Sequence, residues 1–199
     1  MKIFLIGMCL LVFVSKAQAQ KQKERRLNGV YLTLDDYLHR HLTHSFFSKT
    51  KGHHLRFSGK SHLKLITPDS VYVYDLNRIY GYCEDGSNWC YRNGDLVEII
   101  GYYSPGFISF EGLWLYRRRD WFESGTTYTY YFTKKPTGDL VWLTKKKFRK
   151  AYQDDTAFLQ LISKVRWVQL LYDLSEKGQP LLLEMYATAH QPDFNLIEE

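Results

Sequence analysis

The chain has 199 residues, with 27 Lys and Arg against 21 Asp and Glu, 45% hydrophobic and 17% aromatic residues. So many rings and aliphatics exclude a disordered chain, and 13 Gly with 5 Pro exclude a collagen-like or low-complexity one. A net charge of +6 is ordinary for a soluble domain and is no nucleic-acid footprint on its own, so no nucleic-acid partner is expected.

Met1-Lys2 leads an apolar run from Ile3 to Val14, followed by Ser15-Lys16-Ala17-Gln18-Ala19. A basic start, a short apolar stretch and a small-x-small ending predict a secretory signal peptide over residues 1–19, cut after Ala19. The run is shorter than the about 20 residues of a membrane-spanning helix. The mature chain is therefore expected to lack a transmembrane segment and to reside in the periplasm or outside the cell. Lys2 and Lys16 leave with the signal, so the net charge falls from +6 to +4. Residues 20–26 are polar and charged and read as a flexible N-terminus. Residues 27–199 read as a single α+β domain, mainly β over 27–143 and helical over 144–190.

Asn28 to Leu32 reads as a short strand. Thr33-Leu34-Asp35-Asp36 then opens a helix over about 34–40, with Thr33 as cap and Asp36 reaching back to it. Six of the seven histidines follow between His39 and His62. If that helix extends, His41 and His44 share a face, and His53 and His54 after Lys51-Gly52 could fold back to join them on a metal. The competing reading is an exposed polar loop.

The middle is β. Leu55 to Phe57, Leu63 to Ile66 and Val71 to Tyr74 alternate or are β-branched and aromatic. Glu84-Asp85-Gly86-Ser87 is a hairpin turn between Arg78–Cys83 and Trp89–Arg92. Once Cys9 has left with the signal, Cys83 and Cys90 are an even pair in an oxidising compartment. If they oppose each other across this hairpin they can form a disulfide. Asn93-Gly94-Asp95 turns into a strand over 96–103. Ser104-Pro105-Gly106 breaks it, and strands follow over 107–118, 126–133 and 140–143. Strands this short, closely spaced by tight turns, predict an antiparallel meander.

The end is α. Thr144 caps a helix carrying Phe148 and Tyr152, and Asp154-Asp155 restarts one. Phe158, Leu161, Ile162 and Val165 form one apolar stripe, and Trp167, Leu170, Leu171 and Leu174 form the next. Gly178 and Pro180 end that run, and Leu181 to Ala189 forms a last helix, stopped before Pro192. The fold class expected is α+β: an antiparallel meander sheet followed by a C-terminal layer of three to four helices.

Several short stretches resemble a family of small secreted proteins of unknown function from Gram-negative bacteria of the Bacteroidota type. They are Asn28-Gly29-Val30-Tyr31-Leu32-Thr33, the Gly81-Tyr82 and Asp85-Gly86 segment, and Thr137-Gly138-Asp139-Leu140 with Trp142-Leu143-Thr144. The helix opened by two aspartates and the ending from Tyr186 to Pro192 are similar too. The resemblance implies export from a bacterial cell and brings no catalytic residue with it. The cysteine pair departs from the pattern, which makes any bridge local to this chain.

No motif assigns a catalytic residue or a cofactor. There is no Gly-x-Ser-x-Gly, and Ser58-Gly59-Lys60-Ser61 lacks the glycine-rich lead of a phosphate loop. Asp35-Asp36 and Asp154-Asp155 stand where helix N-termini attract acids. Arg117-Arg118-Arg119 and Lys145-Lys146-Lys147 with Arg149-Lys150 read as a strand end and a solvated helix face, or as a patch for anionic headgroups or an acidic partner. Tyrosines crowd the strands, and alternation sends about half to the side of the sheet away from the helices, where Tyr128 and Tyr130 could form an aromatic binding face; the competing and favoured reading is cross-strand aromatic pairs that stabilise the sheet. The expectation is an exported, non-catalytic interaction or ligand-binding module whose partner is an envelope protein or a glycan. The alternatives are a small periplasmic hydrolase and a metal-binding envelope protein using the histidine segment.

Overall fold

The computed structural model describes residues 26–103, 111–123, 125–175 and 178–190. The expected signal peptide, residues 20–25, the break at Ser104-Pro105-Gly106 and the stop at Pro192 lie outside the described residues. The chain divides into two compact units, Met1–Asn88 and Trp89–Glu199.

In the first unit β1 (Leu27–Tyr31) lies between β2 (Thr43–Phe47) and β6 (Gly81–Glu84), antiparallel to both. Gly29 sits where the β1–β2 register shifts. A Cβ there would meet Leu42 Cβ at 3.0 Å and Ser45 Cα at 3.2 Å, so only glycine fits. The helix α1 (Leu34–Leu38) is capped as its sequence dictates. Asp36 N–H donates to the Thr33 hydroxyl at 3.1 Å, and Thr33 N–H donates back to the Asp36 carboxylate at 2.9 Å. A second antiparallel sheet joins β3 (His54–Ser58), β4 (His62–Ile66) and β5 (Val71–Asp75), with Leu63 and Leu65 fully buried on one side.

Strand β7 (Ser87–Arg92) begins at the end of the first unit and runs into the second. There β8 (Asp95–Tyr103), β9 (Leu113–Phe122), β10 (Gly125–Thr133) and β11 (Val141–Trp142) follow as an antiparallel meander. The helices α2 (Lys145–Ala151), α3 (Thr156–Ser163), α4 (Gln169–Tyr172) and α5 (Leu181–Ala189) come after the strands. The fold is thus mixed α+β with antiparallel strands.

The expected layer of three to four helices needs correction. The helices are short pieces, α4 is a single turn, and the two apolar stripes over 158–174 do not belong to one long helix. Val165 N–H turns back to Ile162 O and Gln169 N–H to Arg166 O, so the chain bends between the stripes. The pieces gather around one core instead. Leu115 and Phe132, paired across β9 and β10, pack with Phe148, Tyr152, Phe158, Leu170, Leu182, Leu183 and Tyr186. Gly101 leaves room for α5, since a Cβ there would lie 2.7 Å from Leu183 Cδ1. No helix among the described residues is long and apolar enough to cross a membrane.

Candidate functional site

The histidine segment does not form the helical pair that its spacing allows. Helix α1 stops at Leu38, Arg40 takes a left-handed φ of 56°, and His44 lies in β2. His44 stacks on Tyr72 with ring centroids 3.7 Å apart, and its Nδ1 meets the Tyr74 hydroxyl. His53 Nδ1 faces the Lys51 carbonyl at 3.1 Å, and His54 begins β3 opposite Ile66. His41 is exposed in the turn before β2. Among the described residues no three His, Cys, Asp or Glu side chains gather as metal ligands.

The expected disulfide is also corrected: Cys83 and Cys90 are both free and buried. Asp85 and Gly86 take φ values of 50° and 82°, a two-residue turn between β6 and β7. Such a turn sets Glu84 opposite Ser87 and Cys83 opposite Asn88. Cys90 lies two residues further along β7, out of the opposed position that a bridge requires. The Cys83 thiol instead donates to Leu27 O at 3.2 Å. Burial pushes both thiols up, Cys90 to about 11, so neither is a thiolate at neutral pH. Iodoacetamide at pH 8 is therefore expected to leave the peptides carrying Cys83 and Cys90 unmodified in the folded protein and to alkylate both after unfolding without reductant. A pair that resists alkylation until reduced would contradict free thiols.

Tyr128 and Tyr130 are not on the face that the helices leave bare. Cross-strand partners share a face, and β9–β10 pairs Leu115 with Phe132, Arg117 with Tyr130, Arg119 with Tyr128 and Trp121 with Thr126. The first of these pairs is core, so Tyr128 and Tyr130 lie on the helix-bearing face, and the ladder outruns its cover. Tyr130 still packs at the core edge, its ring edge-on to Tyr172 at 5.8 Å, and burial raises its phenol pKa. Beyond it Tyr128 is 36% exposed and Trp121 73% exposed.

Between these rings stand guanidinium groups. Arg117 lies 4.9 Å from the Tyr128 centroid, and Arg119 lies 5.8 Å from Tyr128 and 5.4 Å from Trp121. Arg117 is neutralised by Glu98 at 2.6 Å, and Arg118, on the other face, by Asp95 at 2.8 Å and Asp120 at 2.9 Å. Arg119 has no carboxylate partner among the described residues. The tyrosines and the arginine run are separate in sequence, and the register makes them one strip.

A second feature had no sequence signal. A cleft of about 630 Å³ is lined by residues just before β9 (Glu111, Gly112), just after β10 (Lys134, Lys135) and from the helical end of the chain. Tyr152 and Tyr186 wall it with rings 5.6 Å apart, and the Tyr152 hydroxyl is tied to Gly112 O at 3.0 Å. Burial raises the Tyr152 phenol well above its ordinary value. His190 Nε2 meets Asp155 Oδ2 at 3.0 Å and its Nδ1 meets Tyr186 O at 2.8 Å, so the ring is held at both nitrogens. The other oxygen of Asp155 accepts from Phe158 N–H at 3.2 Å and caps α3. Among the described residues no Ser, Thr or Cys lines the cleft, and the Tyr152 hydroxyl there is engaged with Gly112 O.

No protein-family model, no curated protein and no solved structure matches the chain.

Proposed function

We propose that the protein is an exported, non-catalytic interaction module that grips a partner protein through the strip of Trp121, Arg119 and Tyr128. Export rests on the leader-like first 19 residues. The observation that carries the binding role is the exposed Trp121 beside an Arg119 with no carboxylate partner among the described residues, both set on rigid paired strands. Trp, Tyr and Arg are the residue types that dominate binding hot spots, because they combine large apolar area with a polar tip. Held in a cross-strand ladder, they lose little conformational freedom on binding. A guanidinium between two rings favours a partner that presents a carboxylate, so an acidic envelope protein fits better than a neutral glycan.

A photo-crosslinking residue placed at Trp121 in cells is expected to give one discrete adduct, lost when Arg119→Glu is added. The same probe at Val73, exposed in the first unit, is expected to give none. An identical adduct from Val73, or one that survives Arg119→Glu, would remove the strip from the reading. Fractionation with N-terminal sequencing checks export: the mature chain should begin at Gln20.

A further inference from the structure

The cleft beside α3 and α5 carries a charge pattern of its own. Six ionisable side chains other than tyrosine line it: Glu111, Lys134, Lys135, Asp154, Asp155 and His190. Four of them satisfy each other. Lys135 Nζ meets Glu111 at 2.7 Å, and His190 meets Asp155 at 3.0 Å. Lys134 and Asp154 are left, one cation and one anion, neither in an ion pair among the described residues and not paired with each other, although Lys134 shares the field of the Glu111 carboxylate that Lys135 holds. Lys134 Nζ is held 4.9 Å from the centroid of the Tyr152 ring, which restrains the ammonium without neutralising it. Asp154 is free of helix duty, because Asp155 caps α3. Tyr152, Tyr186 and Ala151 supply the apolar wall.

We infer that this cleft is a binding site for a small zwitterion, an α-amino acid or short peptide with an apolar side chain. The ligand carboxylate would meet Lys134, its ammonium would meet Asp154, and its side chain would lie against Tyr152 and Tyr186. A ligand with a single charge leaves one of the two residues uncompensated, and a neutral one leaves both. The volume of about 630 Å³ suits this size class and leaves room for a dipeptide. The site is independent of the Trp121 strip.

Titration calorimetry on the mature chain, with four probes, tests this. L-Leucine or L-leucyl-L-leucine is expected to bind saturably, and N-acetyl-L-leucine and L-leucine methyl ester at least about tenfold more weakly. Lys134→Met should weaken the free ligand by about tenfold and leave the methyl ester unchanged; Asp154→Asn should weaken the free ligand equally and leave the N-acetyl form unchanged. Both residues are exposed, so the variants are expected to melt like the parent. Equal binding of the capped and free forms would overturn the zwitterion reading. No saturation by leucine or the dipeptide up to about 10 mM would overturn the site.

Discussion

Phe148→Ala is expected to be the most damaging single substitution in the second unit, costing about 3–5 kcal/mol in urea unfolding. Phe148 is fully buried, and its ring meets Phe132 at 5.0 Å, Tyr152 at 4.7 Å, Phe158 at 5.7 Å and Trp167 at 5.6 Å. Those neighbours come from β10, the C-cap of α2, α3 and the turn before α4, so no single element can move in to fill the space. The loss is the transfer free energy of a whole ring plus the cost of a cavity that rigid neighbours cannot close. Tyr152 walls the cleft and loses its ring contact with Phe148 at 4.7 Å, so leucine binding should weaken in the same variant. Phe148→Leu, which fills most of the space, should lose much less stability. If Phe148→Ala unfolds at the parent's urea midpoint, the helices are not packed as described.

What could be read from the chain follows from how local each signal is. Thr33, Asp36, Thr144 and Asp155 cap the helices that their spacing with the next apolar residues predicts, because a cap is complete within four residues. Strands β3 to β5 are legible because Leu63 and Leu65 alternate with polar residues against one buried side. Strand β2 was not legible. Only Phe46 of its five residues is buried, and its pairing depends on Asn28 and Val30, distant in sequence. The cysteines failed for a related reason: a shift of two residues in hairpin register separates an opposed pair from a diagonal one, and the turn's backbone dihedrals decide which. The Trp121 strip was half legible. Its residue types are plain, but placing Arg119 beside Tyr128 requires the register of β9 on β10. The cleft was invisible, because its walls come from residues 111–112, 134–135, 151–155 and 186–190, which only the tertiary fold brings together.

Glu98→Ala is expected to cost toward the lower end of about 3–5 kcal/mol, the range for removing one partner of a buried ion pair. The Glu98 side chain is only 11% exposed, and its Oε2 accepts from Arg117 Nε at 2.6 Å. That hydrogen bond is the main cause of the raised Arg117 pKa, and because a guanidinium is intrinsically charged at any physiological pH, Arg117 remains a cation when Glu98 is removed. Deleting the carboxylate leaves a cation that is two-thirds buried between Tyr128 and Tyr130 with no counter-charge. Deleting both should therefore hurt less than deleting one: the Glu98→Ala, Arg117→Ala double variant is expected to regain part of the loss. Because Glu98 is buried, the difference should persist at 1 M NaCl, where the Debye length is about 3 Å and a surface pair would have faded. The strip would feel the change as well. An unpaired Arg117 would compete with Arg119 for the Tyr128 face, so Glu98→Ala should alter the Trp121 crosslink even where the protein stays folded. A double variant less stable than Glu98→Ala by the full cost of Arg117→Ala would mean that the two side chains act independently and that the pair does not anchor this end of the strip.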